Sequence, residues 1–150
     1  MSTYFLEQYQ EAAQLAQQGY EAFTEIGHRW GICTSLCALG FANIGLQKRD
    51  RSKAYFKAAL KESRPDQIVP QSLYALIGFA CCLAQDGEEE KAIELIRFVR
   101  KHPETPSIYL EQAVRWIRDL EKVSLSYYRQ QTGTGEGMET LDAVVRRLVA

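Results

Sequence analysis

The chain of 150 residues is 46% hydrophobic and 25% charged, which is typical of one soluble globular domain. No apolar run approaches the roughly 18 residues that a membrane-spanning helix needs, and Glu7 and Gln8 interrupt the N-terminus before a signal peptide could form. We therefore predict a cytoplasmic protein with no membrane partner.

Helical periodicity governs the first two thirds of the chain. Apolar residues spaced three and four apart predict a first helix near 4–25, which would be the second half of an incomplete helix pair. Two complete antiparallel pairs are predicted over 29–62 and 69–102. Their boundaries carry turn and capping residues, namely Gly27, Asp50 as an N-cap, Pro70 in a first turn, and Asp86-Gly87 at a helix end.

The last third of the chain is predicted to form capping helices over 106–150. Thr105-Pro106 is a favourable start for a long helix that runs towards Gln131, and a short helix starts at Leu141. No segment alternates with a period of two. The predicted fold is therefore an all-α single domain, a solenoid of about seven helices whose C-terminal helices cover its last apolar face.

The strongest internal signal is a stripe of six residues that recurs at an interval of 40. Each copy has the spacing of one helix face, which predicts that this stripe is the packed face in successive structural units. The tripeptide Gly-Phe-Ala also occurs at 40–42 and at 78–80, so the intervening helices align with an offset of either 38 or 40. The copies are Ala12, Leu15, Ala16, Gly19, Tyr20 and Phe23; Ser52, Tyr55, Phe56, Ala59, Leu60 and Ser63; and Ala92, Leu95, Ile96, Val99, Arg100 and Pro103.

Helix pairs at this interval, with the motif Ser52-x3-Phe56-x2-Ala59 in a second helix, resemble tetratricopeptide repeats. The first-helix pattern is only partly matched, because Leu36 stands where the family has tryptophan and Asn43 where it has tyrosine. The resemblance implies a superhelical fold that holds other proteins and has a concave surface lined by the first helix of each pair.

A narrower resemblance covers most of the chain. The segment Ile26-Gly27-His28-Arg29-Trp30-Gly31 is similar to a hinge in the repeats of large bacterial signalling ATPases and transcription regulators. Met138 and residues 140–144 are similar to the short helix that closes those arrays. The resemblance implies the C-terminal end of a regulatory array, either cut from a longer protein or encoded alone.

The four cysteines are predicted to be buried apolar filler. A zinc site or a redox switch formed by Cys33, Cys37, Cys81 and Cys82 is the alternative, but adjacent cysteines on a helix point about 100° apart and converge poorly on a metal. We predict no metal site.

No other cluster predicts catalysis or a cofactor. His28 and His102 have no acid or nucleophile nearby in sequence, and Gly133-x-Gly135-x-Gly137 lacks the spacing of a phosphate-binding loop, so it is predicted to be a hinge. The basic stretch 48–64 is predicted to be a solvated helix face; nucleic-acid binding is the alternative.

The family's concave surface predicts where a partner would bind. By analogy, six residues that are apolar or neutral rather than charged would line a groove: Thr34, Phe41, Ile44, Ser72, Phe79 and Cys82. The expected occupant is an apolar helix or segment of a partner protein. The alternative is that the C-terminal helices fold back and fill the groove.

These features predict a non-catalytic protein-protein interaction or scaffold module with a regulatory or signalling role. A small-ligand-sensing domain is an alternative, and nucleic-acid binding through 48–64 is a less favoured one. Because the first helix would lack a preceding partner, its exposed side is predicted to need either upstream repeats or a second copy of the chain, and we predict self-association through residues 4–25.

Overall fold

The computed structural model describes residues 3–63, 68–109, 111 and 140–149. These ranges contain no strand, so the all-α prediction is confirmed for them. None of their helices combines the length and apolar character that a membrane crossing requires. The helices are α1 (Thr3–Ile26), α2 (Arg29–Gly45), α3 (Arg49–Ser63), α4 (Val69–Gln85), α5 (Glu89–Lys101) and α6 (Leu141–Val149), and residues 107–109 and 111 are also helical.

Parts of the predicted C-terminal region lie outside the described residues. They include the long helix towards Gln131 beyond residue 111, the glycine hinge at 133–137, and Met138. Thr105-Pro106 was predicted to start this helix with Thr105 as its N-cap, but the helical residues begin at 107 and the Thr105 hydroxyl donates to the carbonyl of Val99 in α5 at 2.5 Å. Asp50 lies inside the first turn of α3 rather than at its N-cap.

The helices pack in chain order, and α4 is the most deeply buried of those described. Each helix from α1 to α4 contacts its successor, α2 also contacts α4, and α6 contacts α3. Within α4, every residue from 71 to 84 is buried except Tyr74. The reason lies in its composition, since α4 has no charged residue and a helix that is apolar all round is stable only with neighbours on every side.

The turns after α2 and α4 have the same geometry 40 residues apart. Lys48 N donates to Asn43 O after α2, and Glu88 N donates to Leu83 O after α4. Gln47 and Gly87 take the positive φ angles of these C-caps, 60° and 84°. The bounds of α2 and α4 are also 40 residues apart. The element boundaries therefore follow the 40-residue interval and not the offset of 38.

Phe56 of α3 sets the separation of three helices. Its buried ring packs against Gly40 of α2 and Gly78 of α4. A Cβ atom on either glycine would lie closer than 3.0 Å to this ring, a distance that real Cβ atoms essentially never show. The two glycines therefore admit the ring between α2 and α4.

α1 packs on α2 as an antiparallel helix. Phe23 lies against Gly31, and Tyr9 lies against Gly45 at the other end of α2. Between these contacts, a Cβ atom on Gly19 would lie 3.1 Å from the Ser35 hydroxyl oxygen. From one contact to the next, the residue number falls along α1 by the same amount as it rises along α2. The two helices are therefore antiparallel and keep one register over their whole contact.

The prediction that one stripe forms the packed face of every unit is wrong at two of its six positions in α1, while the other four are partly buried. Ser52 and Ala92 are buried, whereas their counterpart Ala12 is exposed. Leu15 is 62% exposed. The helix is rotated so that its partly buried residues are Tyr9, Ala13, Ala16, Gly19, Tyr20 and Phe23.

The substitution Gln47→Gly should raise the free energy of unfolding by about 1 kcal/mol. Gln47 is exposed and holds a left-handed conformation that costs a residue with a Cβ atom about that much and costs glycine little. Urea denaturation followed by circular dichroism measures the change.

The matched control is Gly87→Gln in the equivalent turn, where no atom lies within 4 Å of the added Cβ position. It should lower the free energy of unfolding by a similar amount. Equal denaturation midpoints for the two variants would contradict this account of the turns.

Candidate functional site

The six residues of the predicted groove lie on α2 and α4, two helices that contact each other, but Ser72 and Phe79 contact α3. Ile44, Ser72, Phe79 and Cys82 are buried, and the other two, Thr34 and Phe41, are partly exposed. Solvent therefore reaches only the α2 part of the predicted groove. Partner contact at these positions stays a prediction, but at the four buried residues it would require displacing what covers them.

A row of aromatic rings occupies this region. Phe41 stacks on Tyr74 with centroids 4.9 Å apart, and Tyr74 stacks on Tyr109 at 4.5 Å with ring planes 8° apart. Burial, with smaller contributions from Cys37 and Tyr109, raises the pKa of Tyr74 to about 12. Since Tyr109 follows α5, the start of the C-terminal segment reaches Tyr74, the neighbour of the groove residue Phe41.

The side of α3 that faces α2 is covered. Phe56 packs against Gly40, and the Glu62 carboxylate pairs with Arg29 of α2 at 3.7 Å. Tyr55 and Ala59 lie seven and three residues before Glu62, on the same side of the helix, and are partly and fully buried.

The side of α4 that faces α2 is covered as well. Tyr74 stacks on Phe41 of α2, while the neighbouring Gly78 is buried beneath the ring of Phe56 of α3. The Sγ atom of Cys37 lies 4.0 Å from the carbonyl oxygen of Gln71, to which it donates. In the α3–α4 pair, therefore, α2 lies over one side of both helices.

The equivalent sides of α1 and α2 are exposed to solvent. Counterparts of covered residues, 40 positions earlier in the chain, include Leu15 for Tyr55 and Ala38 for Gly78, and both are exposed. Trp30 and Ile26 continue the same surface with exposures of 51% and 72%. We call this surface the open face; its residues are Ala12, Leu15, Ala22 and Ile26 of α1 with Trp30 and Ala38 of α2.

The equivalent sides of α3 and α4 contact α2 through Glu62 and Tyr74. A helix placed against α1 and α2 as α2 lies against α3 and α4 would therefore contact both halves of the open face. The geometry fits a helix that runs antiparallel to α1. Sequence reasoning missed this surface because it assigned Ala12 and Leu15 to the packed side; the available signal was that α1 is apolar on two sides.

The cysteines lie in the core. All four are buried and unpaired by disulfides. Burial, more than the neighbouring Cys33, raises the pKa of the Cys37 thiol; burial likewise raises that of Cys81, and that of Cys82 to about 12. In the described part of the chain, which includes all four, no group of three or more potential metal ligands converges.

The two histidines make backbone contacts at helix ends. His28 Nδ1 accepts a hydrogen bond from Gly31 N at 3.0 Å and thereby caps α2. His102 Nδ1 accepts from Glu104 N at 3.2 Å after the end of α5. Both side chains therefore accept backbone hydrogen bonds at helix ends, which is a structural role.

Several cations of the basic stretch 48–64 tie α3 to α4. Arg49 donates to the carbonyl of Gln85 at 2.8 Å, and both Arg49 and Lys53 pair with Asp86. Lys57 lies 6.0 Å from the centroid of the Phe79 ring. Arg64 lies outside the described residues. These contacts give part of the stretch a role in packing, and no described contact indicates a nucleic-acid site.

No protein-family model matches the chain, and comparisons with curated proteins and with solved structures find no match. The resemblance to tetratricopeptide repeats consequently stays a prediction that rests on sequence pattern and helix geometry.

Stability should fall above about pH 9, because the unfolded state releases thiol protons there while the folded state keeps them. The pKa values of Cys37, Cys81 and Cys82 are raised in the fold, so their contribution is complete below pH 8 and is lost as the pH rises. Each ionising thiol adds a slope of about 1.4 kcal/mol per pH unit. Urea titrations under reducing conditions from pH 7 to about pH 10 would measure it.

The variant Cys81→Ala serves as the control for this prediction. This variant should show a smaller fall in the free energy of unfolding with pH, by the contribution of one thiol, while its circular dichroism spectrum stays helical. A wild-type stability that stays flat through this window, or a slope unchanged by the substitution, would show that the thiols are not protected.

Proposed function

We propose that the chain is a tetratricopeptide-like solenoid segment that acts as a non-catalytic protein-protein interaction or scaffold module. The recurrence of helix bounds and turn hydrogen bonds at 40 residues supports the solenoid. A regulatory or signalling role in the cytoplasm is the context that the family resemblance implies.

The open face is the proposed binding surface. One observation carries this proposal. On α3 and α4 this side contacts α2, whereas the equivalent side of α1 and α2 is exposed, and its Leu15, Ile26 and Trp30 are each more than half exposed. Large apolar side chains grouped on one surface are typical of interaction sites, and tryptophan is enriched among the residues that dominate binding energy.

The bound element is proposed to be a helix with an apolar side. Its shape is indicated by α2, which occupies the equivalent place beside α3 and α4 and carries a single charged residue, Arg29. Thr34 and Phe41, the two partly exposed members of the predicted groove, lie at the border of this surface on α2. Recognition would follow the helix-in-groove mode, in which an amphipathic helix lays its apolar side into a hydrophobic groove.

Placing a carboxylate on the open face should abolish partner binding without unfolding the protein. Leu15→Glu and Ala38→Glu both change exposed residues, and a buried unpaired charge would oppose docking by several kcal/mol. Quantitative affinity capture from cells that express the tagged chain would compare the proteins retained by wild type and by each variant.

Ala54→Glu is the matched control, because Ala54 is an exposed alanine on α3, away from the open face. Proteins retained by wild type and by the control should be lost from both open-face variants. The proposed surface is wrong if all four chains retain the same proteins while their circular dichroism spectra agree.

A further inference from the structure

A second periodic stripe runs along α1 beside the side that packs on α2. Its residues are spaced alternately three and four apart, which is the pattern of a coiled-coil seam. Phe5, Leu15 and Ile26 are 52%, 62% and 72% exposed. The seam consists of Phe5, Gln8, Ala12, Leu15, Gly19, Ala22 and Ile26, all exposed except Gly19, which is partly buried against α2.

The seam is nearly symmetric about Leu15. The large side chains Phe5 and Ile26 stand near its two ends, and the small residues Ala12 and Gly19 flank the centre. A second α1 in antiparallel orientation, with Leu15 opposite itself, would place Phe5 within one residue of Ile26 of the other copy. Such a self-complementary surface is what a two-fold symmetric interface requires.

The charges beside the seam also suit an antiparallel pair. α1 contains glutamates and no basic residue. In the register centred on Leu15, Glu11 would lie near Gln18 of the second copy, whose amide can donate to the carboxylate. Glu25 would lie near Tyr4 of the second copy, whose hydroxyl can do the same. No two glutamates along the seam would meet directly.

Antiparallel pairing also leaves room for α2. In such a pair the edge of α1 that contacts α2 faces the same way in both copies, so both α2 helices lie on the same side of the α1 pair. Trp30 and Ala38, the α2 residues of the open face, then border the same interface. The result is a four-helix arrangement in which each second α1 takes the place that α2 holds beside α3 and α4.

We propose that the occupant of the open face is a second copy of this chain, joined in an antiparallel dimer whose two-fold axis passes near Leu15. This inference rests on the proposed function of the same surface and names its partner. It also specifies how residues 4–25 would mediate self-association.

Sedimentation velocity of the wild type across micromolar to millimolar concentrations should show a reversible transition from the 17.1 kDa monomer to a dimer. Leu15→Glu should weaken dimerisation by about 100-fold or more, since the axis places the two carboxylates face to face. Mixing Leu15→Glu with Leu15→Lys should restore a dimer, and only of the mixed kind, because opposite charges then meet at the axis.

Cross-linking tests the position of the axis independently. Leu15→Cys should form a disulfide-linked dimer under mild oxidation, whereas Ala54→Cys should not, and the four native thiols are buried. A wild type that stays monomeric throughout, or equal cross-linking of both variants, overturns the dimer. If it is monomeric but the open-face variants still lose their captured partners, the proposed function stands and this inference alone fails.

Discussion

The structure depends on the ring of Phe56 lying between Gly40 and Gly78. This contact holds α2, α3 and α4 at fixed separations, because neither glycine could gain a Cβ atom without displacing the ring. It also places α2 over one side of the α3–α4 pair. A buried hydroxyl contact of 2.5 Å between Ser63 and Ser72 joins α3 to α4 at the end of α3. The open face is recognised by comparing α1 and α2, where this side is exposed, with α3 and α4, where the equivalent side contacts α2.

The parts that the sequence predicted are those that local signals determine. Apolar spacing located α2 to α5, and Gly27 and Gly87 take the positive φ angles expected of helix ends. The interval of 40 reappears in the turn hydrogen bonds, since equal spacing of equivalent residues imposes equal turns. Gln47 shows the limit, because nothing in its side chain predicts a left-handed backbone.

Burial at the predicted site depends on which helix covers which, and periodicity does not contain that information. Ala12 and Ser52 are equivalent in sequence, yet one is exposed and the other buried, because α3 contacts α2, α4 and α6 whereas α1 packs chiefly on α2. Phe79 and Cys82 were placed in an open groove by analogy, but the packing around α4 buries them. The stacking of Tyr109 on Tyr74 joins residues 35 positions apart, which no local pattern could indicate.

Hydrogen–deuterium exchange measured at low and high protein concentration tests the central claim most directly. If α1 is held on one side only and a partner completes it, its amides exchange faster than those of α4 in dilute solution. Their protection should then rise with concentration while that of α4 stays constant. Amides of α1 as protected as those of α4 at every concentration would mean that the open face needs no partner, and would contradict the account.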